Sequence, residues 1–533
     1  MDALFLPLAN AVGASVDQIK LISCLLVAYP LGVLFVRVPT SKPALRHLFS
    51  IGVAILFFFP VLKIYSAFFQ LLGSILATYF VAKYNKSSSM PWIVFAIVMG
   101  HLTVNHVIRA IYGFSYETME VTGPQMVLTM KLTTFAWNVY DGRRKTEELD
   151  KWQLSKRITT YPSLLEFLGY SFYFPGILVG PYLDFSEYME LINETMFQHA
   201  HVKASVKKGK RLPPGRKRAA YIKMFLGLVY LGLFVLYGPT YNFSVASNPE
   251  FMKKSLFERI VFFQLGGPIE RCKYYAIWTL TEGASILTGL GFTDIGIHGK
   301  PMWDGAANVK VWQIEFPPNF KVLLDSWNMK TNIWLRECVY KRVTPKGKKP
   351  GFSSSMITFF TSAFWHGIAS GYYLTFLMGG FITAAARLAR QNIRPLLLPT
   401  NPHDPPSLAK RLYDLGGVIL SAMILNYAAS PFIILSAKDS IATWKALGWY
   451  GHIVVMGSLL FFYAGGTKFF RGLQKAKGVA PPTRGGNPQT NGIGTTNGNG
   501  TASGTASGSA TPLSEKNFVL PPSVDKILPP PQK

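Results

Sequence analysis

The sequence predicts an all-α, polytopic integral membrane protein with about 11 membrane-embedded helices, including re-entrant and interfacial helices. Three observations carry that expectation. The 533 residues are 49% hydrophobic and only 15% charged, whereas soluble domains carry about 25% charged residues. Aromatic residues reach 14%, as 39 Phe, 25 Tyr and 11 Trp. The apolar residues gather into runs long enough for a bilayer core of about 30 Å, which takes about 20 helical residues. A net charge of +27 can signal nucleic acid, but here the cations are sparse and lie between apolar runs, so no nucleic-acid partner is expected.

Taken in order, the runs fall near 19–37, 48–64, 66–83, 92–112, 125–140, 164–180, 219–238, 272–292, 355–386, 412–436 and 444–465. Asp2 is the first charge and no basic region precedes the first apolar residues, so the start reads as an anchor rather than a cleaved signal. The stretch Ser163–Pro181 holds Glu166, Pro175, Gly176 and Gly180 and reads as re-entrant. Broken backbone at membrane depth requires protein or a water-filled cavity around it. Leu256, Ile260 and Phe263, set among Lys253, Lys254, Glu258 and Arg259, read as an interfacial amphipathic helix. The stretch 325–342 likewise reads as a helix lying flat at the interface, with Trp327, Thr331, Trp334, Leu335 and Cys338 on one face. Basic clusters at Lys203–Arg218 and at Lys341, Arg342, Lys346, Lys348 and Lys349 orient loops, attract anionic headgroups or polyphosphate, or do both.

Residues 1–470 thus form the membrane-embedded domain. Residues 471–533 form a disordered low-complexity tail, with no aromatic from Arg471 to Asn517 and an uncharged tract over Gly485–Ser514. Three scattered cysteines, Cys24, Cys272 and Cys338, suit neither a disulfide framework nor a thiolate metal site, and no metal is expected. Asn85, Asn193, Asn242 and Asn499 lie in sequons whose use depends on topology.

Ionisable groups inside apolar runs are functional suspects by default. His366 lies deep in one, among the small residues Gly367, Ala369, Ser370 and Gly371, and an imidazole is suited to take a proton near neutral pH. The competing reading is a histidine bonded across helices. Asn328 offers two donors and an acceptor, yet asparagines bordering a helix face are ordinary. Arg271, Lys273, Tyr274 and Tyr275 suit a phosphate or an interfacial anchor equally. Trp303 and Asp304 suit a substrate contact or the docking and capping of a short helix. His101, Asn105 and Arg109 form a polar stripe that lines a cavity or joins neighbouring helices, and Lys131 and Glu282 are similar.

These residues also carry a resemblance. Trp365-His-Gly-x-x-x-Gly-Tyr372 and Trp327-Asn-Met-x-Thr-Asn-x-Trp334 resemble the His and Asn motifs of the membrane-bound O-acyltransferase family. Arg271-x-Lys-Tyr-Tyr275, Trp303-Asp-Gly305 and Pro162-Ser-Leu-Leu-Glu-Phe-Leu-Gly-Tyr170 with Phe174-Pro-Gly-x-Leu-x-Gly-Pro181 resemble its lysophospholipid acyltransferase branch, of fungal broad-specificity type. The chain departs at Ser370, where that branch often has proline.

The resemblance implies transfer of an acyl chain from acyl-CoA to the free sn-2 hydroxyl of a lysophospholipid in phospholipid remodelling. His366 and Asn328 would then be catalytic, and Arg271, Lys273, Tyr274, Tyr275, Trp303, Asp304, Trp365, Gly371 and Tyr372 would bind substrate. It further implies a multi-pass protein of the endoplasmic reticulum membrane, with acyl-CoA as acyl donor and no other cofactor. The alternatives are acylation of a protein or another lipid alcohol, or a lipid transporter without chemistry. Nothing in the sequence sets the oligomeric state.

Overall fold

The computed structural model describes residues 2–479 except 115–117, 207–210, 297, 346–347, 349 and 400–403. Among the described residues the chain is helical, and the single β-bridge, between Ile295 and Pro301, belongs to no strand. The expected tail, with Asn499, lies outside the described residues from 480 onward, as do Lys207, Lys208, Lys210, Lys346 and Lys349. A last helix, Thr467–Ala476, runs across residue 470.

Among the described residues seven stretches are long and apolar enough to cross a membrane: Val16–Arg37, Pro43–Val61, Tyr65–Tyr84, Met90–Ile111, Arg216–Tyr237, Leu408–Ile434 and Tyr450–Ala476. Their large apolar side chains often point outward: Phe225 is 65% exposed and Leu236 71%. A surface of this kind is stable against hydrocarbon, not water. The interior is correspondingly polar. The Thr122–Gly142 helix buries Lys131, Thr133, Thr134, Asn138 and Asp141, and Lys131 donates to the carbonyls of Tyr170 and Ser171. This multi-pass helical arrangement is the fold class the composition implies.

The remaining expected segments are built differently from simple spans. The stretch 164–180 is a short helix, Leu164–Ser171, begun by a Ser163–Glu166 capping box and followed by turns packed in the main aromatic core. The expected interfacial helix around Leu256 is instead the start of a 33-residue helix, Leu256–Thr288. Ser255 caps its first turn, and nothing stops it before Gly289, whose φ of 103° suits glycine alone. The run 355–386 divides at Gly367 into the helices Phe352–His366 and Ser370–Asn392. The stretch 325–342 is not one helix either. Asn328, at φ 44° and ψ 53°, separates Phe320–Ser326 from Met329–Leu335, so Trp327 leaves the face on which Thr331, Trp334 and Cys338 are buried.

The basic clusters are partly consumed inside the protein. Arg342 pairs with the fully buried Asp141 and lies 4.2 Å from the Trp137 ring centre, while Lys341 reaches Asp150 at 2.7 Å. Arg211 and Arg216 donate to the carbonyls of Val36 and Leu287. Lys217 and Arg218 are exposed.

Candidate active site

His366 is the last residue of its helix. The following Gly367 has φ 133°, and a Cβ there would lie 3.2 Å from the His106 ring, so only glycine turns the chain at this point. Aromatic rings surround the imidazole, with centroids at 4.6 Å for Trp365, 4.9 Å for Phe432, 5.3 Å for Phe376 and 5.5 Å for Tyr372. Despite that enclosure His366 remains half-buried rather than sealed. Among the described residues neither ring nitrogen has a hydrogen-bond partner, and neither is a buried orphan. Trp365 is fixed instead, its indole donating to the Met126 carbonyl at 3.0 Å. His106, unnoticed in the sequence, has its Nε2 3.3 Å from the Trp365 carbonyl and braces this turn from behind.

Asn328 occupies the break between two short helices, in the left-handed conformation that asparagine tolerates better than most residues. Its amide orientation follows from its neighbours. The backbone N–H of Lys330 donates to Asn308 Oδ1 at 3.0 Å, which leaves Asn308 Nδ2 to donate to Asn328 Oδ1 at 3.1 Å. The Thr331 hydroxyl donates to the same oxygen at 2.8 Å. Asn328 Oδ1 is thus occupied twice, and among the described residues its Nδ2 has no acceptor, so it presents two donors from a half-buried position.

Continuous ring contacts join the two groups. Trp327 lies 5.6 Å from Tyr274, Tyr274 lies 6.5 Å from Phe432, and Phe432 packs on His366. On the other flank Trp334, from the helix that follows Asn328, meets Trp365 at 5.7 Å. An unpartnered imidazole and a fixed pair of amide donors therefore stand at the two ends of one run of aromatic rings. Chemically, such a pair accepts a proton at one end and stabilises a developing oxyanion at the other.

The other expected site residues divide into those near this region and those apart from it. Tyr372 packs on His366 and on Phe432, at 5.0 Å from the latter. Gly371 lets two helices touch: its N–H donates to the Leu435 carbonyl at 2.8 Å, and a Cβ there would lie 2.1 Å from the Pro431 carbonyl oxygen. Both neighbours are backbone, so Gly371→Ala is expected to force the helices apart and cost about 1–3 kcal/mol, read as a lowered thermal midpoint with activity lost in parallel.

Arg271 is committed to its own protein. Its guanidinium forks onto Glu315 at 2.8 and 2.5 Å and donates to Asn426 Oδ1 at 2.6 Å, while the Tyr275 hydroxyl donates to Glu315 at 2.6 Å. Glu315→Gln leaves a buried guanidinium without its counter-ion, and a loss of about 3–5 kcal/mol is expected in denaturation of the detergent-purified protein. Lys273 pairs with Glu270 at 3.1 Å and lies over the Tyr274 ring, and Tyr274 joins the aromatic chain described above. Trp303 and Asp304 are not brought to His366. The Trp303 indole donates to Pro214 and its ring packs on Phe197 and Phe292, while the exposed Asp304 accepts from Thr293 at 2.5 Å. The polar stripe joins helices: Ser74 and His101 bond at 2.7 Å, Asn105 donates to Gln70 and Gln125, and Arg109 pairs with Glu120 at 2.7 Å. Buried Glu282 receives Lys223 at 2.9 Å.

Asn308, Glu315, Phe376, Asn426 and Phe432 were not singled out by sequence reasoning. Phe376 alone left a signal, four residues beyond Tyr372 in the His366 run. Among the described residues no three His, Cys, Asp or Glu side chains converge as a metal site.

Comparison with known proteins fits this geometry. Residues 108–430 match the model of the MBOAT, membrane-bound O-acyltransferase family, an interval that contains both reactive candidates. The lysophospholipid acyltransferase of Schizosaccharomyces pombe is 38% identical over 462 residues, covering 87% of this chain and 89% of that protein. The lysophospholipid acyltransferase of Saccharomyces cerevisiae is 36% identical over 493 residues, covering 89% of this chain and 79% of that protein. Human membrane-bound glycerophospholipid O-acyltransferase 1 is 31% identical over 468 residues, covering 85% of this chain and 91% of that protein. With a polytopic helical fold, a family match over most of its length and relatives spanning nearly all of it, this chain belongs to the membrane-bound O-acyltransferase family.

Proposed function

We propose that the protein is an acyl-CoA-dependent lysophospholipid O-acyltransferase of the endoplasmic reticulum membrane, acting in phospholipid remodelling. The observation that carries the reading is the pairing of an unpartnered His366 with the free Asn328 amide at the two ends of one run of aromatic rings. The names of the relatives support the lysophospholipid substrate class. In the proposed reaction His366 takes the proton of the acceptor's sn-2 hydroxyl as its oxygen attacks the thioester carbonyl. The carbonyl becomes an oxyanion that the Asn328 Nδ2 donors stabilise. Collapse expels the CoA thiolate, which takes the proton from His366, and an ester has replaced a thioester. Tyr372, Trp365, Phe376 and Phe432 hold the imidazole in place, and Tyr274 continues the apolar wall toward Asn328.

The test is direct. Purified protein in phosphatidylcholine nanodiscs receives acyl-CoA and a panel of lysophospholipids, and diacyl phospholipid and free CoA are measured. Equal amounts of both products are expected. Acylation of peptides alone would sink the lipid reading, and movement of lipid without ester formation would make the protein a transporter.

A further inference from the structure

The helix that begins beside His366 ends in a group of cations with no assigned role. Arg387, Arg390 and Arg394 follow at i, i+3 and i+7 toward the end of Ser370–Asn392 and just past it, so they lie on one side. All three are half-buried. Among the described residues none of them has an ion-pair partner, although Arg390 lies within electrostatic reach of Arg387, Arg394, Tyr413 and Asp325. The two neighbouring acids are already neutralised within their own helices, Asp325 by Lys321 and Asp414 by Lys410. The arginines therefore leave three uncompensated charges at one place.

An ordinary explanation would have them close the helix, whose terminal carbonyls attract cations. That role is filled by another residue. The buried Gln474 amide donates to the Gln391 and Asn392 carbonyls at 3.1 and 2.7 Å. The surface beside the cluster points to what it faces. On the neighbouring Leu408–Ile434 helix, Leu408, Leu412, Leu415 and Ile419 form a stripe that is 73%, 59%, 57% and 53% exposed. That helix is long and apolar enough to cross a membrane, so the stripe suits hydrocarbon, and it packs against the helix that carries Arg387 and Arg390. A half-buried guanidinium fork matches phosphate oxygens in pairs, and an acyl chain attached to that phosphate would lie along the leucine stripe.

We propose that Arg387, Arg390 and Arg394 form a binding site for the phosphate of an anionic phospholipid at the membrane surface, separate from the His366–Asn328 centre. The site selects phosphomonoester headgroups, which offer the arginines more charge and more acceptor oxygens than a zwitterionic diester.

The experiment uses full-length protein in uncharged detergent and reads binding of a fluorescent phosphatidic acid, with no acyl transfer involved. The combined Arg387→Gln, Arg390→Gln and Arg394→Gln change is compared with the parent protein, and 3′,5′-ADP serves as a lipid-free phosphate competitor. Each surface arginine contributes about 1 kcal/mol toward an anionic lipid, so the triple variant is expected to lose on the order of a hundredfold in affinity. It should keep its thermal midpoint and its acyl transfer in phosphatidylcholine nanodiscs. Undiminished phosphatidic acid binding in the folded triple variant would overturn the proposal. Displacement of the lipid by 3′,5′-ADP, with a raised KM for acyl-CoA in the variant, would also overturn it by giving the arginines to the nucleotide end of the donor. Because binding is read without turnover, an inactive but lipid-binding protein would count against the proposed reaction and leave this site standing.

Discussion

His366→Ala is expected to lower acyl transfer by about 10²–10⁴-fold, the usual contribution of a positioned general base, while the protein remains folded. The fold should survive because the imidazole makes no hydrogen bond whose partner would be stranded, and its contacts are ring packing with Trp365, Tyr372, Phe376 and Phe432. The measurement is initial rate against acyl-CoA and lysophospholipid, beside thermal unfolding in the same detergent. A rate within a few-fold of the parent would remove His366 as the base. A rate lost together with the folded state would be settled by His366→Gln, which keeps more of the packing volume and should be equally inactive.

Asn328→Asp is expected to have the next largest effect, a fall in kcat of about 10²–10³-fold with little change in KM. The substitution separates two roles that alanine would merge. Aspartate tolerates the φ of 44° and still accepts from Asn308 and Thr331, so the local backbone and its bonds persist. Only the two free donors disappear, replaced by an oxygen that repels the developing oxyanion. Asn328→Gly, which suits the same backbone, should lose the donors without adding charge and fall less far. Full activity in the aspartate variant would show that the donors do not act on the transition state.

The proposed reactive pair stands out in the sequence because each member sits in a short local string, Trp365-His-Gly and Trp327-Asn-Met, whose residue types are unusual in an apolar context. Its supports were not. Asn308 lies 20 residues before Asn328, Glu315 lies 44 after Arg271, and Asn426 lies 155 after it. Such contacts are set by how helices pack, which a single sequence does not record. The same reason explains why Arg271 and Tyr275, read equally as phosphate ligands or an anchor, are found holding Glu315. At the level of the fold, hydropathy picked out the helices with apolar outer faces. It did not separate them from Thr122–Gly142, equally regular but lined with buried polar groups, nor find the breaks at Gly367 and Asn328, where one residue's dihedral angles decide the path.

The collar of rings around His366 has a consequence for selectivity. A base beside an oxyanion donor is equally the equipment of a thioesterase, and water is a smaller and more abundant nucleophile than any lipid alcohol. Whether such a pair hydrolyses its donor or passes the acyl group on depends on who reaches the imidazole first. Phe376, Phe432, Trp365 and Tyr372 offer incoming water no hydrogen-bonding surface beside the imidazole except at the edge of a hydroxyl or indole, while they receive a hydrocarbon-bearing alcohol readily. In the proposed reaction the aromatic wall is therefore what makes a transferase of groups that would otherwise waste the thioester.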